Sequence, residues 1–470
     1  MSCCGPTRRR VLGALATTVA ALPVLALTGT GPARAQGPVV ATDLEVVTVT
    51  DTAVILTWTT RAPDGTPVAA DTEVALAPAD SPAAPRPVYA DPAPTPYHYA
   101  EIRGLEPGRS YRFEARSGGL LAVAAPNLIT GRPGTPEALG VVTTLIPPPG
   151  RYLRTVALSN DVHIGETVAG LIRQNLPPGV GQEPGLPPYP EVMLTALLDD
   201  LRRPDRGVHH LLVAGDLTAE ARPDQVATVR SALDAWGAAD RDWFAVRGNH
   251  DRPHLGDDYD GCTPDTDDRH HDCWGDRFAP RGRLAEHTVG GLRLLGLDTT
   301  ELDIAGGSIE PEQLDHLRGV LTADPDRPTL VYGHHPVTTE SGATNMSGMD
   351  FILDRGDAAT LHTLYRSAPG VFLHHAGHSH RNHRSRPDLP IPVDFVEVGA
   401  VKEYPGGYAI LRLYEGGYML NFYKTRTEAA KRWSTRSRGE YLGLEPEYTL
   451  GSTADRNYVV TRDLSGLTAA

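Results

Sequence analysis

The amino-acid sequence predicts an α/β domain preceded by a small all-β sandwich. Three observations carry this: β-rich runs parted by Pro, Gly and Asp turns from about residue 39 to 144, a stiff Pro147-Pro148-Pro149-Gly150 hinge, and strand-like runs alternating with helical stretches beyond it. In the front region, 44–49, 53–58 and 111–115 are rich in β-branched and aromatic residues, which suit a pleated, half-buried surface. After the hinge, helices are predicted over 191–203, 222–237 and 310–321, each with apolar positions at helical spacing. A chain of 470 residues has room for two cores. No internal repeat marks a solenoid or propeller. The stretch 426–470 starts basic, with Lys431, Arg432, Arg436 and Arg438, and reads as a solvated C-terminal extension.

The N-terminus places Thr7-Arg8-Arg9-Arg10 before an apolar run over 12–27 and the small-residue site Ala33-Arg34-Ala35. This pattern predicts a twin-arginine export signal over 1–35, removed after Ala35, so that the mature protein is secreted, periplasmic or held at the cell wall. The apolar run, broken by Thr and Pro, is too short to span a bilayer comfortably, and no later run approaches the necessary length. Stable membrane insertion after cleavage is therefore not expected. Cys3 and Cys4 leave with the signal. Cys262 and Cys273 remain, an even count in a chain bound for an oxidising space, and a disulfide between them is expected, with two free thiols as the alternative.

Within the second region, five apolar runs each end in residue types that bind metals. Val156-Ala157-Leu158-Ser159-Asn160 leads into Asp161-Val162-His163, and Leu211-Leu212-Val213-Ala214 into Gly215-Asp216. Phe244-Ala245-Val246 leads into Gly248-Asn249-His250-Asp251, Leu330-Val331-Tyr332 into Gly333-His334-His335-Pro336, and Val371-Phe372-Leu373 into Gly377-His378-Ser379-His380. The carboxyl ends of strands in open α/β sheets share one rim, so these distant residues converge. A strand through Asp161-x-His163 would put both side chains on one face. Gly215, Gly248 and Gly377 mark tight turns beside the site.

The order D-x-H, G-D, G-N-H-D, H, G-H-x-H resembles the calcineurin-like metallophosphoesterase superfamily over roughly 155–403, in which a β-sandwich is flanked by helices. The front region, with Thr57-Trp58 and Ile102-Arg103-Gly104-Leu105-Glu106-Pro107-Gly108-Arg109-Ser110-Tyr111, resembles a fibronectin type III domain. The implied division is 1–35 signal, 36–146 fibronectin-like domain, 151–425 catalytic domain and 426–470 extension. By the resemblance, Asp161, His163, Asp216 and His380 hold one metal, and Asp216, Asn249, His334 and His378 hold another. Mixed carboxylate, imidazole and amide donors suit divalent or trivalent Mn, Fe or Zn. A metal-activated hydroxide then attacks phosphorus, and His250 is the expected catalytic proton donor to the leaving oxygen. In H-x-P arrangements of this superfamily the first histidine is the ligand, which makes His335 a neighbour, with His335 in place of His334 as the alternative.

Two departures bear on His250. Purple acid phosphatases carry a tyrosine three residues after the bridging aspartate and lack the D-x-H histidine; here these positions are Ala219 and His163. Other members place there an aspartate that orients the catalytic histidine, so Glu220 is the candidate substitute. The insert bearing Asp257, Asp258, Asp260, Asp265, Asp267, Asp268, His270, His271 and Asp272 reads as a solvated acidic loop stapled by the cysteines, with a lid or further cation site as the alternative. His209, His210, His374, His375 and His383 read as strand-edge or outer residues. A net charge of −14 repels nucleic acid, so the expected partner is a small phosphate ester or lipid headgroup. A phosphodiesterase is favoured because D-x-H with H-H-P looks like the cyclic-nucleotide and glycerophosphodiester branch. The alternatives are a phosphomonoesterase or nucleotidase that scavenges phosphate, and a non-catalytic surface binding protein.

Overall fold

A computed structural model describes residues 38–125, 134–172, 176–266, 269–443 and 448–470. The expected export signal, with Asp267 and Asp268 of the acidic insert, lies outside the described residues. In the front region Val40–Val49, Ala53–Arg61 and Tyr97–Arg103 make one antiparallel sheet. The second holds Arg86–Thr95, Ala70–Pro78 and Ser110–Ser117, and Leu120–Leu121 and Val141–Thr143 pair with the last of these. Alternation along Ser110–Ser117 turns Tyr111, Phe113 and Ala115 inward, against Leu56, Trp58 and Val74. The result is an all-β sandwich.

The larger region is built on two six-stranded sheets. The first runs Trp243–Val246, His210–Ala214, Tyr152–Ser159, Gly407–Tyr414, Gly417–Lys424 and Asn457–Thr461. The second runs Ala285–Val289, Leu292–Leu297, Thr329–Gly333, Val371–Ala376, Asp394–Glu397 and His383–Ser385. Leu158, Leu212 and Phe244 of one sheet share a core with Leu294, Leu330 and Leu373 of the other. The helix Tyr189–Leu201 covers the outer face of the first sheet with Met193, Leu194 and Leu197, while Pro311–Ala323 and Arg355–Ser367 cover the second with Leu317, Leu321, Leu361 and Tyr365. Pro190, Pro223 and Pro311 sit in the first turns of their helices, where a missing N–H removes no bond. The fold is α/β, a two-sheet sandwich flanked by helices and preceded by an all-β domain.

The strands that carry the metal-ligand motifs are the parallel ones. Tyr152–Ser159 pairs with His210–Ala214, and that with Trp243–Val246; Thr329–Gly333 pairs with Val371–Ala376. Parallel pairing brings their carboxyl ends to one rim.

The stretch 426–470 is not the solvated tail its basic start suggested. Glu428–Ser437 is a helix whose Trp433 stacks on Tyr189 at 4.0 Å, and Asn457–Thr461 is the edge strand of the first sheet, paired with Gly417–Lys424. The basic residues face partners: Arg438 lies 3.0 Å from Glu45, and Lys431 Nζ donates to the Tyr97 carbonyl at 2.8 Å. Their charges made the segment look solvated, whereas Lys431 and Arg438 join it to the front domain and Arg432 and Arg436 pair with Glu183. Val40–Val49 is buried along nearly its whole length because one face fills the sandwich core while Val47 packs into the core of the larger region.

Candidate metal centre

Each strand stops just before its motif, and the ligand residues lie in the loops beyond. Asp161-x-His163 is thus not a strand dipeptide: the strand ends at Ser159, and Asp161 and His163 have φ of 54° and 50°. Asp216, His378 and His380 are likewise left-handed, with φ of 51°, 66° and 53°. Such backbone costs about 1–3 kcal/mol per residue and persists only where the surroundings enforce it. Here paired loops do so: Val162 N and His163 N both donate to the Asp216 carbonyl, and Lys402 N donates to that of Asp161. Gly248 is required by close approach, since a Cβ there would meet Asp216 Oδ1 at 2.2 Å.

The seven expected ligands come together in two groups that share one carboxylate oxygen. Asp216 Oδ2 lies 3.3 Å from His163 Nε2 and 3.1 Å from His334 Nε2. Around the first group, His380 Nε2 is 3.3 Å and His163 Nε2 3.8 Å from Asp161 Oδ1. Around the second, His334 Nε2 is 3.0 Å from both Asn249 Oδ1 and His378 Nδ1. All seven are buried or nearly so. His334 Nδ1–H donates to the Ala214 carbonyl at 2.9 Å, which leaves Nε2 a lone pair pointing at other lone pairs. Acceptors facing one another at this spacing repel unless a cation sits among them. Among the described residues, neither His163 Nε2 nor His378 Nε2 has a hydrogen-bond partner. Donors about 3 to 4 Å apart suit metal–ligand bonds of about 2.0–2.2 Å, so these residues fit a binuclear centre.

The electrostatics say the same. Burial and Lys402 act to depress the His163 imidazole, yet Glu166, Asp161 and Asp216 outweigh them and hold it well above its ordinary value. Burial opposes charge on His380 too, but Asp161 and Glu403 keep it up at about 9. His378 is held well below its ordinary value by burial and by His335 and His334.

Around the ligands stand residues outside the expected ligand set. Asp251 accepts from Leu217 N, Thr218 N and Gly248 N at 2.9–3.1 Å and from Thr218 Oγ1 at 2.7 Å, pinning the Asp216 loop to the Asn249 turn. His380 Nδ1–H donates to Glu403 at 2.6 Å, and His163 Nδ1 lies 3.2 Å from Glu166. Asp251 was legible as the last letter of G-N-H-D; Glu166 and Glu403 sit in no motif.

His250 falls beside the shared aspartate. Its N–H donates to Asp216 Oδ1 at 2.9 Å, and its ring nitrogen lies within 4.8 Å of the ligand atoms of His163 and Asp216. Nδ1–H donates to the Ala219 carbonyl at 2.7 Å. The expected orienting carboxylate, Glu220, is thus replaced by the backbone of the very residue whose side chain is missing. Burial pushes the His250 imidazole down to about 4 against the pull of Asp216. His335 is excluded from the cluster: Thr299 Oγ1 lies 2.7 Å from its Nδ1 and the Ala305 carbonyl 3.2 Å from its Nε2.

Cys262 and Cys273 are joined by a disulfide. Behind it Arg247 is buried in a two-point pair with Asp272 at 2.6 and 2.7 Å, its guanidinium 4.7 Å from the Trp274 ring. His254, Tyr259, Cys273 and Trp274 pack inward, so the insert is an anchored flap with an acidic outer face. Among the described residues it holds no group of three metal-ligating side chains. His374 and His375 are buried mid-strand, the former 2.8 Å from the Tyr365 hydroxyl, rather than at a strand edge.

A helix-flanked two-sheet sandwich, with a buried Asp and His cluster sharing one carboxylate oxygen on the rim of its parallel strands, defines a metal-dependent phosphoric ester hydrolase. Residues 154–382 match the calcineurin-like phosphoesterase family, and the chain carries a domain of that family. No curated protein matches the chain. Similar solved structures include a purple acid phosphatase from yellow lupin (Lupinus luteus), 13% identical over 91% of this chain and 75% of that one, with a TM-score of 0.41. A dimetal phosphatase from Danio rerio is 16% identical over 59% of this chain and 98% of its own, with a TM-score of 0.42. A human fibronectin type III domain is 14% identical over 24% of this chain and 77% of its own, with a TM-score of 0.16. Among the described residues no helix is long and apolar enough to cross a membrane.

Proposed function

We propose that the protein is an exported binuclear phosphoesterase that hydrolyses small phosphodiesters or phosphorylated lipid headgroups, and that its front domain is of fibronectin type III kind. The observation that carries the catalytic reading is the single oxygen, Asp216 Oδ2, shared by two converging ligand groups. Asp161, His163, Asp216 and His380 hold one ion, and Asp216, Asn249, His334 and His378 the other, drawn from Mn, Fe or Zn. Ions so held would supply Lewis-acid activation of water and charge stabilisation for displacement at phosphorus.

This chain's own residues do the rest. Asp251 and the His250 N–H fix Asp216, so that both ion positions are set by one rigid turn. With Nδ1–H engaged by Ala219, His250 presents Nε2 as its open nitrogen, the atom that would take up a proton and pass it to the departing oxygen. The D-x-H and H-H-P motifs favour a diester. Arg8-Arg9 before an apolar run supports export by the twin-arginine route, and the Cys262–Cys273 bridge suits an oxidising space.

Metal analysis of the purified chain with turnover on bis- and mono-esters of one chromophore tests the activity. Two ions per chain and faster bis-ester cleavage are expected; metal-free protein without turnover overturns the enzymatic reading, and faster mono-ester cleavage the substrate preference. Intact-mass measurement of secreted protein tests export, with a chain beginning at Gln36 expected and one beginning at Met1 contrary to it.

A further inference from the structure

The two ligand groups are supported differently. In the second, His334 is oriented by main chain, through its Nδ1–H to the Ala214 carbonyl. In the first, both histidines lean on side chains: His380 Nδ1–H on Glu403, and His163 on Glu166. A single buried ammonium links the two carboxylates, since Lys402 Nζ lies 2.6 Å from Glu166 Oε1 and 3.1 Å from Glu403 Oε2. One hydroxyl completes the arrangement. Tyr441 Oη–H donates to the same Glu403 oxygen that accepts from His380, and Tyr441 Oη lies 2.7 Å from His380 Nδ1. Tyr441 is 5% exposed and takes a φ of 50°, a conformation an aromatic residue rarely adopts without being held there.

Tyr441 belongs to the C-terminal stretch, beyond residue 382 where the family match ends. The same stretch makes two further contacts beside the site: Tyr448 Oη–H donates to the Ser379 carbonyl at 3.1 Å, and Asn382 N to the Thr449 carbonyl at 2.9 Å. Resting on the binuclear reading above, we infer that Tyr441 and Glu403 are positioning residues for the first ion alone, so that the C-terminal stretch sets how firmly that ion is held while the main-chain-supported second ion is indifferent to it. Losing such outer partners typically costs about 10- to 100-fold in metal affinity.

The test is stepwise removal of Zn²⁺ from the full chain with a graded chelator, counting ions per chain, for wild type, Tyr441→Phe, Glu403→Ala and Glu403→Gln. Tyr441→Phe and Glu403→Ala should release one ion at about 10- to 100-fold lower chelator strength and keep the other at the wild-type value. Glu403→Gln, whose amide oxygen still accepts from His380, should recover part of the loss. Unchanged melting temperatures of the metal-free proteins will separate this from unfolding. Release of both ions together, or of neither earlier than in wild type, overturns the inference with the binuclear reading intact. A wild type that binds no Zn²⁺ overturns the reading itself.

Discussion

Two clusters of buried charge in this molecule are treated in opposite ways. At the joint between the front sandwich and the larger domain, Glu45 meets Lys424 at 2.6 Å, Arg438 at 3.0 Å and the Tyr404 hydroxyl at 2.7 Å; Arg206 lies 3.0 Å from Glu101, and Arg426 3.2 Å. Burial works against ionisation of Glu45, but Lys424 and Arg438 outweigh it and bring its carboxyl down to about 2. Each charge there has a fixed counter-ion supplied by the chain. At the rim, carboxylates and imidazole nitrogens converge with no lysine or arginine of the described residues among them, and Lys402 stands one layer behind. A buried charge needs a partner. Where the chain supplies one the cluster is a structural joint, and where it withholds one the cluster is a ligand site.

The sharpest way to break this contrast is Asp216→Asn, which takes from the first ion one of its two carboxylates and from the second its only one. Turnover should fall to background and ions per chain below two, a larger loss than removal of any one terminal ligand; two retained ions with undiminished turnover would contradict it. His250→Ala should leave both ions in place and slow an alkyl ester about 10²- to 10⁴-fold while sparing an activated aryl ester, whose leaving group needs little protonation. Equal losses on both esters would reassign His250 to phosphate binding, and a lost ion would make it a ligand.

The joint should respond in stability and not in metal content. Glu45→Ala leaves Lys424 and Arg438 buried without their counter-ion, and about 3–5 kcal/mol of unfolding free energy should disappear with both ions retained. Denaturant titration against metal analysis checks this; a stability change of less than about 1 kcal/mol would mean the joint is held by its apolar contacts. The smallest effect is one of pH. Because folding lowers the Glu45 carboxyl from 4.5 to about 2, its contribution is fully present above pH 4.5 and drains away as pH falls towards 2. Melting curves in that window should drop more steeply for wild type than for Glu45→Gln, and parallel curves would remove Glu45 from the account.

Much of the site was legible because its residue types are uncommon in combination and each follows an apolar run. Periodicity placed the helices Tyr189–Leu201, Pro223–Trp236 and Pro311–Ala323 within two residues at each end. What periodicity could not show was the left-handed backbone at Asp161, His163 and Asp216, because a non-glycine residue gives no local sign that its neighbours will force it there. Charge composition misled over 426–470, since a basic residue looks the same in sequence whether it faces water or a buried carboxylate.

The sequence by itself determined which residues meet on the rim, through motifs that each follow an apolar run, and the order of strands and helices, through hydrophobic period. Only the tertiary structure decided how those residues are aimed. That His250 is held by the Ala219 carbonyl, His380 by Glu403 and Tyr441, and Asp216 by Asp251 depends on contacts between loops distant in the chain. Such contacts leave no local pattern, because backbone carbonyls are the same at every residue and a single carboxylate acquires its role only from what the fold places beside it.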